Sequence, residues 1–368
     1  MNLTLSAEQQ ELRETVAKFL HAKAPVSALR AIMETEAGFD PGVWSQLCEQ
    51  MGLVGLLVPE SLGGMGCGPV ELALVLHEMG RVLYSGPYLA TALAVTALMR
   101  SGDERACAEL LPDLATGDSI GTLAFAEANG DWRAGPQLRT TARQVGQDWL
   151  VDGVKTFVLG VPAADLFLVT ARTAEGVGLF AVRASYAVDV EVQPALDLSR
   201  RLGTVRFTAA PAQLIGIVGQ AESIVDGVLD VAAMAVAAEQ AGAAWQCLEM
   251  SVEYAKTRTQ FGVPIGSHQA VAHKCAEMLL LAEHTRSAAQ YAAAAAGSPE
   301  FPIAAHAAAA FAGPAFSHIS TETIQVHGGI GFTWEHDAHL YYRRAQSSAL
   351  LFGHTDTHYA AVADHAGL

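Results

Sequence analysis

Residues 254–269, YAKTRTQFGVPIGSHQ, together with 325–344, QVHGGIGFTWEHDAHLYYRR, set the reading of this chain. In the first stretch Arg258, Gln260 and Phe261 stand just before Gly262, and a Pro-Ile-Gly turn leads to a second amide, Gln269. In the second, Gln325 precedes the pair Gly328-Gly329 by three residues. Glycines let backbone N–H groups approach a phosphate closely, and a guanidinium carries the planar fork that matches a diphosphate. Singly, Arg258 reads as a surface ion-pair member and Gln325 as a helix-end cap. Jointly, at these spacings, they read as an anion clamp.

Outward from these segments the pattern is helical. Predicted helices cover 226–257, 268–295, 303–312 and 315–326, with runs such as AAMAVAAEQAGAA that favour helix and permit close interhelical approach. Between about 119 and 211 the period shortens. There 119–125, 138–145, 149–159, 166–170, 178–182, 188–192 and 204–208 are β-rich and separated by Gly, Asp or Pro. Strands this closely spaced, with no helices between them, imply an antiparallel barrel or sandwich. The N-terminal part is helical again, with Ser6 and Gln9 in capping-box spacing ahead of Leu12, Val16, Phe19 and Leu20. The fold class is therefore α+β in three domains: helical (1–117), antiparallel β-barrel or sandwich (118–215), and a C-terminal four-helix bundle (216–368). The Gly-rich 52–68 lacks the GxGxxG order and reads as a turn between helices.

Composition narrows the function. A chain of 368 residues, 51% hydrophobic, can bury a large core, and a net charge of −16 gives no electrostatic case for nucleic acid or an anionic membrane. Cys48, Cys67, Cys107, Cys247 and Cys275 have no CxxC spacing, so reduced thiols and a cytoplasmic location are expected. No apolar run reaches membrane-spanning length and no signal-type segment opens the chain. His354/His358 and His336/His339 have ligand spacing without a Glu or Cys partner pattern, so no metal is expected.

The two quoted segments resemble the flavin-binding signatures of the acyl-CoA dehydrogenase family. The resemblance covers almost the whole chain through GLVGLLVPESLGGMG, VDGVKTFVLG and VRFTAAPAQLIG. It implies the family's fold, a β-domain between two all-α domains, and FAD bound without a Rossmann motif. The implied reaction is α,β-desaturation of an acyl-CoA thioester: a carboxylate removes the α-proton and flavin N5 accepts the β-hydride. By the same resemblance Arg258, Gln260, Phe261, Gln269, Gln325, Gly328 and Gly329 grip the ADP half of a neighbouring subunit's FAD. An electron-transferring flavoprotein would take the electrons.

The chain departs from the family where the chemistry occurs. Counting forward from Gly328-Gly329 puts Phe352 where most members carry a Glu, with Gly353 keeping register. Counting back from Phe261 puts Ala232 and Ala233 at the alternative Glu-Arg site. A phenyl ring and two methyl groups accept no proton, so no catalytic base is assigned. The family's Trp-Ile-Thr reads Phe157-Val158-Leu159, and its Thr-Glu-Pro turn reads Ala126-Glu127-Ala128, which removes the hydroxyls offered to the flavin ring. The half of the site presented to a neighbour is intact; the half used in cis is eroded. The expectation is a catalytic-Glu-lacking subunit of a heteromeric acyl-CoA dehydrogenase, two copies each of two unlike chains, as in members acting on bulky acyl-CoAs such as steroid side chains. The partner is a paralogous Glu-containing subunit. Two alternatives stay open. One is a self-sufficient homomeric dehydrogenase with Asp356 or His354 as a non-standard base, Glu239 being a lesser candidate. The other is a non-catalytic acyl-CoA-binding or scaffold pseudoenzyme.

Overall fold

The structure, a computed structural model, describes residues 3–135 and 137–367. Helices α1 (Ala7–Lys23), α2 (Val26–Met33), α3 (Pro41–Glu49), α4 (Pro69–Arg81), α5 (Tyr88–Ser101) and α6 (Glu104–Thr116) come first. Strands β1 (Gly121–Ala124), β2 (Thr141–Val145), β3 (Asp148–Leu159), β4 (Leu166–Arg172), β5 (Val177–Arg183), β6 (Val188–Val192) and β7 (Leu202–Ile215) follow. The chain returns to helix in α7 (Ala221–Thr257), α8 (Gln269–Ala295), α9 (Phe301–His327), α10 (Ala338–Ser348) and α11 (Thr355–Ala366). A ribbon of β8 (Thr259–Gln260) and β9 (Val263–Pro264) joins α7 to α8. This is the helix–strand–helix order implied by the sequence. Ser6 caps α1 as read: its Oγ accepts from Gln9 N at 3.2 Å while Gln9 Oε1 accepts from Ser6 N at 2.9 Å.

Contacts gather the chain into two units. One holds α3, α5, α6, β1 to β7 and α7 as far as Ala232. Its strands close a ring in which β4 pairs with β5, β5 with β7, β7 with β3, β3 with β2, and β2 returns to β4 through Thr141 and Arg172. Phe167, Val169, Phe180, Val182, Val205 and Phe207 fill it, all 2% exposed or less. Each such burial contributes roughly 1.5–3 kcal/mol. One expectation is corrected: β1 runs parallel to β4, Gly121 to Ala124 against Leu166 to Val169. A parallel pair needs a long crossover, and the whole β2–β3 hairpin supplies it. Strand β7 also outruns its predicted end at Thr208. Ala209 takes a left-handed φ of 46° and donates its N–H to Asp152 Oδ1 at 2.7 Å, so the strand kinks and then continues to Ile215.

The other unit holds α1, α4 and the helices from Ala233 onward. Helix α9 corrects the second expectation, for 303–312 and 315–326 are one helix of 27 residues with Pro314 inside. A proline mid-helix forfeits a hydrogen bond and disfavours α geometry in the residue before it. That residue here is Gly313, which has no Cβ to clash, and buried Ala312, Ala315, Phe316 and Ile319 hold the helix by packing. The predicted four helices are thus α7, α8 and an unbroken α9, with α10 and α11 added from the tail.

Helices α4 and α7 cross at glycine. A Cβ on Gly242 would lie 1.8 Å from His77 O, and one on Gly80 would lie 2.0 Å from Glu239 O. The end of α4 is then closed from α10. Tyr341 Oη donates to Arg81 O at 2.5 Å, and the Arg344 guanidinium reaches Leu83 O at 3.4 Å and Tyr84 O at 3.5 Å. These are the carbonyls a helix end leaves unpaired. In an open helix, replacing Gly by Ala stabilises by about 1 kcal/mol. Gly242→Ala is expected to do the reverse, lowering stability by about 2 kcal/mol or more because backbone must move, as measured by urea unfolding.

Candidate functional site

Helix α7 ends in the first quoted segment. Arg258 N still bonds Tyr254 O at 2.8 Å, and Ile265 N bonds Arg258 O at 2.8 Å, closing the β8–β9 ribbon. Its turn is Phe261-Gly262, with φ of 52° and 83°. Two positive φ values fit a type I′ hairpin, which ordinarily recruits Asn-Gly. A phenylalanine there is strained, and its ring is 94% exposed, so folding of the isolated chain does not account for it. Arg258, Gln260 and Gln269 are exposed. The Arg258 guanidinium forms no hydrogen bond or ion pair among the described residues, and Gln260 Nε2 bonds only Thr259 O at 3.0 Å. Helix α8 begins at Gln269 without a side-chain cap, which leaves first-turn N–H groups and the positive end of the helix dipole for an anion.

The second segment ends α9. Gln325 is exposed, and its carbonyl accepts from Gly328 N. Gly328 has φ of 62°, and a Cβ placed on Gly328 or Gly329 would meet no atom within 4 Å. The backbone there lies open to a ligand. The two segments are brought together by residues that motif reading passed over. The Tyr254 ring lies 4.5 Å from that of His327, which in turn lies 4.3 Å from His336. His327 Nδ1 donates to Thr323 O at 2.7 Å. Burial lowers the pKa of both histidines, so the wedge beneath the clamp is neutral. A guanidinium, an unobstructed glycine backbone and an uncapped helix start fit a diphosphate, so these residues would hold the ADP portion of FAD.

The positions expected from the sequence to correspond to the family's base are apolar and buried. Phe352 is 6% exposed with φ of 62°, and Ala232 and Ala233 are buried. Glu239 is no base: Arg344, itself 1% exposed, donates Nη1–H to Glu239 Oε1 at 2.5 Å. His354 and Asp356 are exposed, and the imidazole accepts from Asp356 N to cap α11. His358 turns to His306, Nδ1 to Nδ1 at 2.8 Å.

In the barrel unit Ala126 and Leu159 are buried, and Phe157 sits 38% exposed with φ of 56° where the β3–β7 register shifts. Lys155, wholly buried, was also passed over. Its Nζ donates to Phe125 O (3.0 Å), Glu127 Oε1 (3.2 Å) and Thr170 Oγ1 (3.2 Å), and Thr156 N bonds Ala126 O at 2.9 Å. Burial pushes the amine down to about 8 against the pull of Glu127. Burial also raises the Glu127 carboxyl, but N–H donors from Thr140 and Arg139, with Lys155, outweigh it and leave its pKa lowered. That carboxylate is spent on holding the 126–128 turn. The signal was VDGVKTFVLG itself, where a lysine two residues ahead of an apolar run points inward.

Two family descriptions match, "Acyl-CoA dehydrogenase, N-terminal domain" over residues 6–118 and "Acyl-CoA dehydrogenase, C-terminal domain" over residues 223–367. The chain belongs to the acyl-CoA dehydrogenase family. Members of this family are FAD-dependent oxidoreductases. Acyl-CoA dehydrogenase IpdE2 of Mycolicibacterium smegmatis is 36% identical over 95% of this chain and 96% of its own length. FadE34 of Mycobacterium tuberculosis is 36% identical over 96% of this chain but only 47% of its own. Among solved structures, the ChsE4-ChsE5 complex from Mycobacterium tuberculosis has a TM-score of 0.90 at 27% identity, covering 100% of this chain and 99% of that one. The Tcur3481-Tcur3483 steroid ACAD (G363A variant) has a TM-score of 0.88 at 29% identity, covering 99% of both. No described helix is long and apolar enough to cross a membrane, and none of the five cysteines is joined in a disulfide.

Two outcomes are expected of this geometry. Arg344→Met strands the buried Glu239 carboxylate and should cost about 3–5 kcal/mol in urea unfolding. For His358, burial and then the His306 charge push the pKa from 6.5 to about 4. The unfolded chain therefore takes up this proton first, and stability declines as pH falls from 6.5 toward 4. His358→Gln should make that decline shallower by up to about 1.4 kcal/mol per pH unit.

Proposed function

We propose that this chain is the flavin-clamping, base-less subunit of a heteromeric acyl-CoA dehydrogenase. The observation that carries the reading is the contrast within one chain. Every diphosphate-facing feature is present and exposed, whereas Phe352, Ala232 and the paired Glu239 leave no carboxylate at a base position. FAD, when bound, supplies the hydride acceptor. This chain contributes the Arg258 fork, the open Gly328-Gly329 backbone, the amides of Gln260, Gln269 and Gln325, and the Phe261 ring. A paralogous Glu-containing chain would supply the base and the pocket for the flavin ring.

The relatives support this assembly. ChsE4-ChsE5 is a complex of two named chains, and the match to FadE34 leaves more than half of that protein over, room for a second chain's worth of the same fold. The substrate class we assign is a CoA thioester with a bulky, steroid-derived acyl group, in keeping with the Tcur3481-Tcur3483 steroid ACAD. Electrons would leave to an electron-transferring flavoprotein.

The chain should be produced alone and with a Glu-containing paralogue, and flavin content and acyl-CoA oxidation with a dye acceptor measured for each. The expected result is little activity alone, and a complex with half the flavin it would hold if every chain carried one. Arg258→Ala should lower flavin retention by the complex, whereas Asp356→Asn and His354→Gln should leave its turnover unchanged. A lone chain with a full flavin complement and turnover would favour the self-sufficient enzyme instead.

A further inference from the structure

Helices α1, α4, α7 and α8, with the segment before α1, enclose a cavity of about 90 Å³, room for several waters or a small ligand. Alanine makes the space: Ala73 on α4, Ala238 and Ala241 on α7, and Ala289 and Ala293 on α8 line it and are each 6% exposed or less. A void walled only by such groups would stay dry. This one has a polar end. His77 lines it with Nδ1 at 3.1 Å from Glu78 Oε1, and its Nε2 is buried with no hydrogen-bond partner among the described residues. Arg13 and Gln290 also face it, and neither side chain forms a hydrogen bond or ion pair among the described residues. Arg286, on the same wall, is already engaged by Glu283 at 2.5 Å and by the Trp245 ring.

The two ends differ along the axis. Gln9 Nε2 donates to Glu71 Oε1 at 2.7 Å, which sets the start of α1 beside the start of α4, so Leu3, Leu5 and Val70 share the apolar end. From Val70 to His77 the α4 wall rises about 10 Å. At the polar end Arg13 from α1 and His77 and Arg81 from α4 act on Glu78, while Glu249 of α7 also holds Arg81 and Glu283 of α8 holds Arg286. Glu78 is already shared between His77 and Arg81, which leaves Arg13 and His77 Nε2 for an incoming anion.

We propose that this cavity binds a short aliphatic carboxylate, its chain against the alanines and its head on Arg13 and His77 Nε2. Donating from Nε2 to the bound head while Nδ1 stays on Glu78 requires a proton on each ring nitrogen. The site lies wholly within one unit and does not depend on the flavin-clamp reading.

The test is thermal unfolding of the full chain titrated with butyrate, butanol or butylammonium at constant ionic strength. Butyrate should raise Tm saturably, and the other two should not. Arg13→Met should weaken the apparent butyrate affinity about tenfold, the loss of one charge-assisted contact. Ala241→Leu should abolish the shift by filling the space; Ala293→Val serves if that variant does not fold. Equal shifts with butanol, no shift with butyrate, or a shift that survives the filled variants would each overturn the proposal.

Discussion

The packing of Tyr254 against His327 is the contact on which the clamp depends. It joins the last turn of α7 to the last turn of α9, elements far apart in sequence, one turn before Arg258 and one residue before Gly328-Gly329. Because burial keeps His327 and His336 neutral, the wedge brings no charge of its own. The positive character of the surface above it comes from Arg258 and the uncapped start of α8, where it can act on a ligand and not on the support.

If half the work of the site passes to a partner, as proposed, the two halves of this chain should differ. The clamp half stays exposed: the Arg258 guanidinium has no hydrogen bond or ion pair among the described residues, Phe261 is held at positive φ, and the glycine backbone faces open space. At the base positions the reverse holds, and burial has been completed with apolar groups. Two of the buried carboxylates, Glu127 and Glu239, are each fixed by a buried cation, Lys155 and Arg344. Removing one partner of such a pair costs more than the pair contributes, so both carboxylates are committed to structure and unavailable for proton transfer.

Much of this was legible in the residues. Periodicity separated helix from strand, Ser6 and Gln9 formed the capping box they spelled, and the clamp residues stood together in two short segments. What escaped was nonlocal or contextual. The parallel β1–β4 pair is set by strand order, which no local pattern encodes. Pro314 reads as a helix break unless Gly313 before it and the alanines around it are weighed together. Lys155 reads as a solvated strand residue, and only the closed barrel shows that its amine is wholly buried on Glu127. The base-less reading of Phe352 and Ala232 rested on counting from the motifs; the structure adds their burial, and it disposes of Glu239 through Arg344.

The central claim is that this chain holds one end of a flavin whose other end belongs to a partner. The most direct measurement is the structure of this chain bound to its Glu-containing paralogue with flavin present. The expected result is each flavin with its diphosphate on Arg258 and Gly328-Gly329 of this chain and its ring in the paralogue. A flavin ring seated against Ala126 and Leu159 of this chain would contradict it.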